Sequence, residues 1–250
     1  SDKLIFDSAL LGGQTTLADG ETLSGSAGIV NATYGSKHFD LESGMEWISP
    51  GFRAENGFVT RSDVISVETE TSVNTYPTKG PFPFIQYQPL EAEVAWTFDG
   101  ELRDVEINPS VMLVPKGGEM ISLYGEHIEE AYEGEWLEYD RLGIRAGRRF
   151  APWLMIFASG SQGSDAYYDE DNPRVGSSTS MGGFAAFRPK PFVSLSVEGQ
   201  WERFLDTDDS LLYNAWYGRY RLELYANRYL WLRMIIDQTA DWADDEPDSF

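Results

Sequence analysis

The segment FVSLSVEGQWERF, residues 192–204, decides the fold of this chain. Taken in steps of two, its apolar side chains fall on one face and its polar side chains fall on the other. The apolar set is Val193, Leu195, Val197 and Trp201, and the polar set is Ser194, Ser196, Glu198, Gln200 and Glu202. Because alternate side chains of a β-strand point to opposite faces, the segment is predicted to form a strand with one apolar face.

The same period of two recurs along the chain, at residues 65–73, 90–98, 105–113, 220–224 and 229–237. Helical spacing competes only weakly, at residues 121–132, where several glutamates would share a face. The chain is therefore predicted to be all-β. About thirteen candidate strands can be placed, at residues 3–10, 23–35, 38–48, 58–75, 84–98, 102–114, 118–128, 137–149, 152–160, 174–187, 192–204, 211–226 and 229–239.

Composition excludes several classes of function. The 250 residues contain 19 Lys and Arg against 41 Asp and Glu, a net charge of −22, which repels nucleic-acid phosphates. Cysteine is absent, and only His38 and His127 are available for a metal cage or a catalytic triad. No run of residues approaches the roughly 18 apolar positions of a membrane-spanning helix. We predict no nucleic-acid partner and no cofactor.

Acidic clusters give no specific sign of an enzyme or of a metal site. Glu68 and Glu70 lie at i and i+2 on one strand, which meets the spacing of glycosidase acids automatically. The acidic loops at residues 165–172 and 206–209 offer oxygen ligands for Ca²⁺, but neither has the Gly and Glu spacing of an EF-hand loop. Solvated loop charge is the favoured interpretation, and no catalytic residue or metal ligand is predicted.

The connections between strands fall into two kinds. Short ones at residues 115–118, 150–152, 188–191 and 226–228 alternate with longer ones at 49–57, 129–136, 160–174 and 205–210. Basic residues lie beside the short connections, and acidic residues concentrate in the longer ones. The pattern predicts an up-and-down antiparallel meander with two different rims, as in outer-membrane barrels with short periplasmic turns.

The apolar face must meet either a second protein layer or lipid. Long strands, the two unlike rims and aromatic residues near strand ends, including Tyr167, Phe204 and Tyr213, favour a transmembrane β-barrel with an aromatic girdle. The barrel is predicted to span residues 1–239, followed by an acidic tail at 240–250. The alternative is a secreted, soluble lectin-like β-domain that binds glycans through rim aromatics.

The stretch SPGFRAENGFVTRSD, residues 49–63, resembles a loop-and-strand signature of a bacterial outer-membrane β-barrel family of unknown function. In that family the barrel follows a family 9 carbohydrate-binding-like module. The segments YDRL (139–142), FRPKP (187–191) and RYLWLR (228–233) are similar to it in layout. The resemblance implies the barrel portion alone, because no part of the chain matches the module, and it supplies no catalytic residues.

The predicted number of strands indicates whether this chain can close a barrel without a partner. Bacterial single-chain barrels have an even number of strands, and an open edge in lipid leaves backbone groups unpaired. Either residues 3–10 are not a membrane strand, or further strands lie beyond Phe250 or on another chain. The predicted partners are the lipid bilayer and, in the second alternative, a further segment or chain that completes a larger barrel, to which this chain contributes about 12–14 strands.

The polar face is predicted to line the lumen. Its lining residues are Glu68, Glu70, Glu91, Glu93, Arg141, Arg145, Glu198, Arg219 and Arg221. Acids and arginines on different walls would impose a field on a polar solute path, whereas the alternative is an interior plugged by ion pairs. The predicted function is a passive or gated, porin-like conduit in the outer membrane of a Gram-negative bacterium, or a membrane anchor for a periplasmic or surface partner.

Overall fold

The computed structural model describes residues 2–16, 22–53, 61–169, 172–227 and 229–242. These residues form fourteen β-strands and no helix, which confirms the all-β prediction. The strands are β1 (Lys3–Thr16), β2 (Thr22–Gly35), β3 (Phe39–Ile48), β4 (Val64–Thr75), β5 (Phe84–Trp96), β6 (Leu102–Ile107), β7 (Ser110–Val114), β8 (Met120–Tyr132), β9 (Glu135–Ala151), β10 (Leu154–Tyr167), β11 (Arg174–Lys190), β12 (Val193–Leu205), β13 (Leu211–Tyr225) and β14 (Trp231–Trp242).

The strands follow one another through a single antiparallel sheet, as the up-and-down prediction requires. The order is β1-β2-β3-β4-β5-β6-β8-β9-β10-β11-β12-β13-β14, and β7 pairs with β5 and β8. β6 and β7 therefore share one position between β5 and β8, and fourteen strands occupy thirteen positions. The prediction of one continuous strand at 102–114 is wrong, because the structure divides it into β6 and β7. The break falls at Asn108-Pro109, where proline has no N–H group to donate to the neighbouring strand.

Several predicted boundaries need correction. The segment 121–132, whose pattern is weakly helical, lies within strand β8. The predicted loop at 160–174 is also shorter, because β10 continues to Tyr167. The pairing of β10 with β11 ends there, with Tyr167 opposite Arg174. β14 extends to Trp242, beyond the predicted barrel boundary at residue 239. Residues 58–60 of a predicted strand and 243–250 of the predicted tail lie outside the described residues.

The chain divides into two compact units. The first unit comprises Ser1–Thr75, Gln86–Pro109 and Glu126–Leu137, and the second comprises Tyr76–Ile85, Ser110–Gly125 and Glu138–Phe250.

Cross-strand register assigns each side chain to a face, because directly opposed residues of an antiparallel pair lie on the same side of the sheet. In the second unit Leu195 opposes Leu222, and Leu222 opposes Met234. We call this side the apolar face of the second unit; its members are Val193, Leu195, Val197, Tyr220, Leu222, Leu224, Leu232, Met234 and Ile236. The apolar face of the first unit contains Leu4, Phe6, Leu10, Val30, Met45 and Val67.

Few apolar side chains are buried in either unit. Among the described residues the buried hydrophobic side chains are Phe52, Ala95, Leu137, Tyr139, Ala166 and Phe204. Members of the apolar faces remain accessible instead, with Leu10 72% and Leu232 60% exposed. Since the described residues contain no helix and no second sheet, nothing in them covers these faces.

The connection between β8 and β9 is tighter than the predicted loop at 129–136. Only Glu133 and Gly134 separate the two strands, with φ of 47° and 85°. Two consecutive positive φ values define a type I′ turn, whose twist matches that of the flanking strands. Glycine fits the second position because it has no Cβ atom to clash at positive φ.

We predict that Gly134→Ala lowers the free energy of unfolding by about 1 kcal/mol, because alanine is strained at positive φ. Chemical unfolding followed by tryptophan fluorescence measures the loss. Glu133→Asn is the control, since asparagine is preferred at the first position of this turn. An unchanged free energy for Gly134→Ala would contradict the assigned turn.

Candidate functional site

The polar face of the first unit is strongly acidic. Glu42 lies directly opposite Glu70, and Glu93 lies directly opposite Glu106. The predicted lining residues of this unit, Glu68, Glu70, Glu91 and Glu93, all lie on that face. Charge repulsion links Glu70 to Glu91, Glu42 and Glu68, and links Glu93 to Glu68 and Glu106. The four predicted residues therefore share one electrostatic environment.

The acidic side chains of this face are held by neutral donors rather than by cations. The Gln88 side-chain amide donates to Glu91 at 2.5 Å, and that of Asn108 donates to Glu106 at 2.6 Å. Among the described residues, none of the glutamates at 42, 68, 70, 91, 93 and 106 forms an ion pair, whereas Arg61 pairs with Asp104 at 2.5 Å. Like charges directly opposed on a sheet are destabilising, so this face requires water or ions to screen it.

The polar face of the second unit mixes acids with arginines. Glu198 lies directly opposite Arg219, and Arg221 lies opposite Ser196. Arg219 also holds Asp237 of β14 through two hydrogen bonds, of 2.7 and 3.1 Å. Such bidentate guanidinium–carboxylate contacts are stronger than neutral hydrogen bonds. The second unit therefore neutralises its charges locally, in contrast to the first.

The arginines of β9 reach this face as well. Arg141 opposes Gly163 and Arg145 opposes Ser159, in register with the polar side of β10. Arg141 forms an ion pair with Asp165 at 2.5 Å. The Arg145 guanidinium stacks 4.0 Å from the centre of the Tyr124 ring, where cation–π attraction holds it. All predicted lining residues of the second unit thus lie on its polar face.

An aromatic cluster stands at the loop end of the same face. It consists of Tyr167, Phe204 and Tyr213, whose ring centres lie 5.5 to 6.4 Å apart. Phe204 is only 1% exposed. These rings were expected in a girdle on the apolar side, but register places Phe204 opposite Ser178 and Tyr213, on the polar side.

Polar contacts fix the rings of the aromatic cluster. The Tyr213 hydroxyl donates to Glu202 at 2.7 Å, and the Arg174 guanidinium stacks on Tyr167 at 4.9 Å. A Cβ atom at Gly176 would collide with the Phe204 ring and with the carbonyl oxygen of Leu205. Glycine at 176 is therefore needed for the ring to lie against β11. The result is a packed aromatic patch, centred on the buried ring of Phe204, at one end of an otherwise polar face.

The turn after β12 anchors this end through its carboxylates. The Thr207 N–H donates to Asp206 at 2.6 Å, Arg174 donates to it at 2.8 Å, and together these contacts lower the pKa of Asp206. Hydrogen bonds from the Ser210 hydroxyl and backbone N–H lower the pKa of Asp208. Both carboxylates therefore stay ionised at neutral pH, as groups held by donors do. They act as turn-fixing acceptors.

The alternation of side chains along β12 could have revealed the position of the aromatic cluster from the sequence. Phe204 follows Glu198, Gln200 and Glu202 in steps of two, so its side chain must point to the polar side of β12. The dependence on Gly176 has no such signal, because it arises from a contact between neighbouring strands.

Comparison with known proteins adds no assignment. No family model matches the chain. No curated protein matches it either. The resemblance of residues 49–63 to an outer-membrane family therefore stays a prediction. In the part of the chain that the structure describes, no helix has the length and hydropathy of a membrane span.

We predict that Phe204→Ala lowers the free energy of unfolding by about 3–5 kcal/mol, the cost of a large cavity at a buried ring. Leu224→Ala, on the apolar face and 37% exposed, is the control and should lose less than half as much. Unfolding of the detergent-solubilised protein measures both. Equal losses would show that Phe204 is not a packing centre.

Proposed function

We propose that this chain forms the wall of an outer-membrane β-barrel whose apolar face meets lipid and whose polar face lines a water-filled conduit. The observation that carries the proposal is the uncovered apolar face described above. A soluble monomer rarely exposes contiguous apolar patches beyond a few hundred Å². A lectin-like sandwich would bury Leu195, Leu232 and Met234 against a second sheet, yet each is at least 38% exposed.

Strand length supports this proposal. A transmembrane strand needs about 9–11 tilted residues. β3 contains 10 residues and β12 contains 13, while β9 and β11 contain 17 each. Strands of this length reach across the hydrocarbon layer, and the longest ones extend beyond it.

The acidic polar face of the first unit supports a hydrated interior. Directly opposed carboxylates such as Glu42 and Glu70 would be costly in a dry, packed core. Water and mobile cations screen them in an open lumen. The expected solutes are therefore small cations or polar molecules that tolerate a negative wall.

The connections at the two ends of the second unit differ, which supports a fixed orientation of the proposed barrel in the membrane. Pro152-Trp153 and Pro191-Phe192 make short turns, with Arg149, Arg188 and Lys190 close by in sequence. The opposite connections, at residues 168–173 and 206–210, are longer and acidic. In outer-membrane barrels the short turns face the periplasm, so the proposal places the aromatic cluster toward the cell exterior.

Spanning a bilayer requires that no strand edge stays open. β1 and β14 end the sheet order, and each has one edge without a partner among the described residues. Unpaired N–H and C=O groups in hydrocarbon cost several kcal/mol each. Thirteen positions are an odd number, whereas a closed antiparallel barrel needs an even one. The proposal therefore includes an added strand, antiparallel to β14, from a further segment or a second chain.

The conduit is tested by planar-bilayer recording on protein extracted from membranes with mild detergent, so that any polypeptide paired with β1 or β14 is retained. We expect conductance steps and a preference for cations. The double variant Glu70→Lys, Glu91→Lys should reduce the cation-to-anion permeability ratio by roughly twofold to fivefold, because each reversed charge acts across a few ångströms of water.

Glu101→Lys is the matched control, because it reverses a charge in the exposed connection between β5 and β6 and should leave the ratio unchanged. Membrane insertion without conductance would contradict the conduit and favour the anchor. A protein that is monodisperse in buffer without amphiphile would contradict the membrane proposal altogether.

A further inference from the structure

A hollow of about 400 Å³ opens on the polar face of the second unit, at the end with the short turns. Its wall is formed by Met120, Met155, Phe157 and Phe184, with Arg149 among the lining residues. Phe157 opposes both Gly147 and Phe184 in the sheet, which places the hollow on the same side as Arg145 and Ser159. Apart from the aromatic cluster at the opposite end, this side carries mainly charged and hydroxyl groups such as Arg145, Ser159 and Glu198, so an apolar hollow here is unexpected.

Local sequence explains how the hollow forms. Gly147 has no side chain beside the Phe157 ring, and a Cβ atom there would lie 3.0 Å from Cδ2 of that ring. The missing side chain leaves room for the Phe157 ring beside Gly147 of β9. The two methionines add flexible, polarisable walls that adapt to a bound chain. A volume of about 400 Å³ falls within the range of small-molecule sites, about 300–1,000 Å³.

One cation that lines the hollow has no ion-pair partner among the described residues. Arg149 lies directly opposite Met155, is exposed, and forms no ion pair with any described residue. Its neighbour Arg148 is occupied by Glu119 and by the ring of Phe150, 5.1 Å away. An apolar wall beside a single available guanidinium is complementary to a ligand that carries one negative charge on an apolar chain.

We infer that this hollow binds an amphiphilic carboxylate, with its alkyl chain against Met120, Met155 and Phe184 and its carboxylate on Arg149. The planar guanidinium matches the two oxygens of a carboxylate in a bidentate arrangement. Among the described residues that line the hollow, Arg149 is the one cation without an ion pair, which suits a monoanion better than a doubly charged phosphate. Binding at this site does not depend on conduction through the polar face.

The methionines provide a direct readout. The chain contains six methionines, of which Met120 and Met155 line the hollow. Met45, Met181 and Met234 lie on the apolar faces, and Met112 lies opposite Ser122 of β8, outside the lining of the hollow. Protein labelled with ¹³C at the methionine methyl groups, in nanodiscs of a zwitterionic lipid, is titrated with dodecanoate. Dodecanol and dodecyltrimethylammonium of the same chain length are titrated in parallel.

We expect saturable shifts of the Met120 and Met155 signals with dodecanoate, and only weak, non-saturating changes at the other methionines from partition into lipid. Arg149→Gln should weaken dodecanoate binding about tenfold or more, as expected for loss of a charge-assisted hydrogen bond. Phe184→Trp should abolish binding by filling the hollow while Arg149 remains.

Arg188→Gln is the matched control, because it removes a charge at the same end of the sheet outside the hollow and should change affinity less than twofold. Equal shifts with dodecanol, or unchanged affinity in Arg149→Gln, would overturn the carboxylate site. No saturable shift at Met120 and Met155 would overturn binding in the hollow. Because the readout is local, these failures are distinguishable from a failure of the conduit.

Discussion

Leu195, Leu222 and Met234 stand in one row across three adjacent strands, and no protein layer among the described residues covers them. The hydrophobic effect makes such a face costly in water, at roughly 25 cal/mol for each Å² left exposed. A sheet that keeps this arrangement needs an apolar surface or medium against that face, and our proposal assigns this role to lipid. Its backbone groups must then be paired within the ladder, which an antiparallel meander of neighbouring hairpins achieves except at its two edge strands.

The opposite face follows from the same constraint. Because side chains alternate, apolar residues directed to one medium leave the polar positions together on the other side. In the first unit these positions carry glutamates without ion-pair partners among the described residues, and in the second they carry arginines matched with Glu198, Asp165 and Asp237. The first arrangement needs hydration, and the second stiffens the sheet. Apolar patches at the two ends of the second unit, the aromatic cluster and the Met120–Met155 hollow, interrupt this polar surface.

Much of this architecture could be predicted from the alternation alone. The alternation identified the strands around residues 192–204 and placed Glu68, Glu198 and Arg219 on the polar side. It succeeded there because the face on which a side chain lies depends only on its position along its own strand. It failed at residues 160–167, where Gly, Ser and Gln carry little hydrophobic contrast and pairing with β9 and β11 defines the strand. It also missed the break at Asn108-Pro109. The hollow could not be found this way, because it depends on Gly147 and Phe157 meeting across two strands.

Site-directed spin labelling along β12 tests most directly which medium meets the apolar face. The chain has no cysteine, so single cysteines at residues 194–200 can be labelled without further substitutions. In lipid vesicles we predict that labels at Leu195 and Val197 collide with oxygen, and that labels at Ser196 and Glu198 collide with a water-soluble nickel complex. Equal access of nickel to both sets, or exclusion of both reagents from Leu195 and Val197, would contradict a lipid-facing surface.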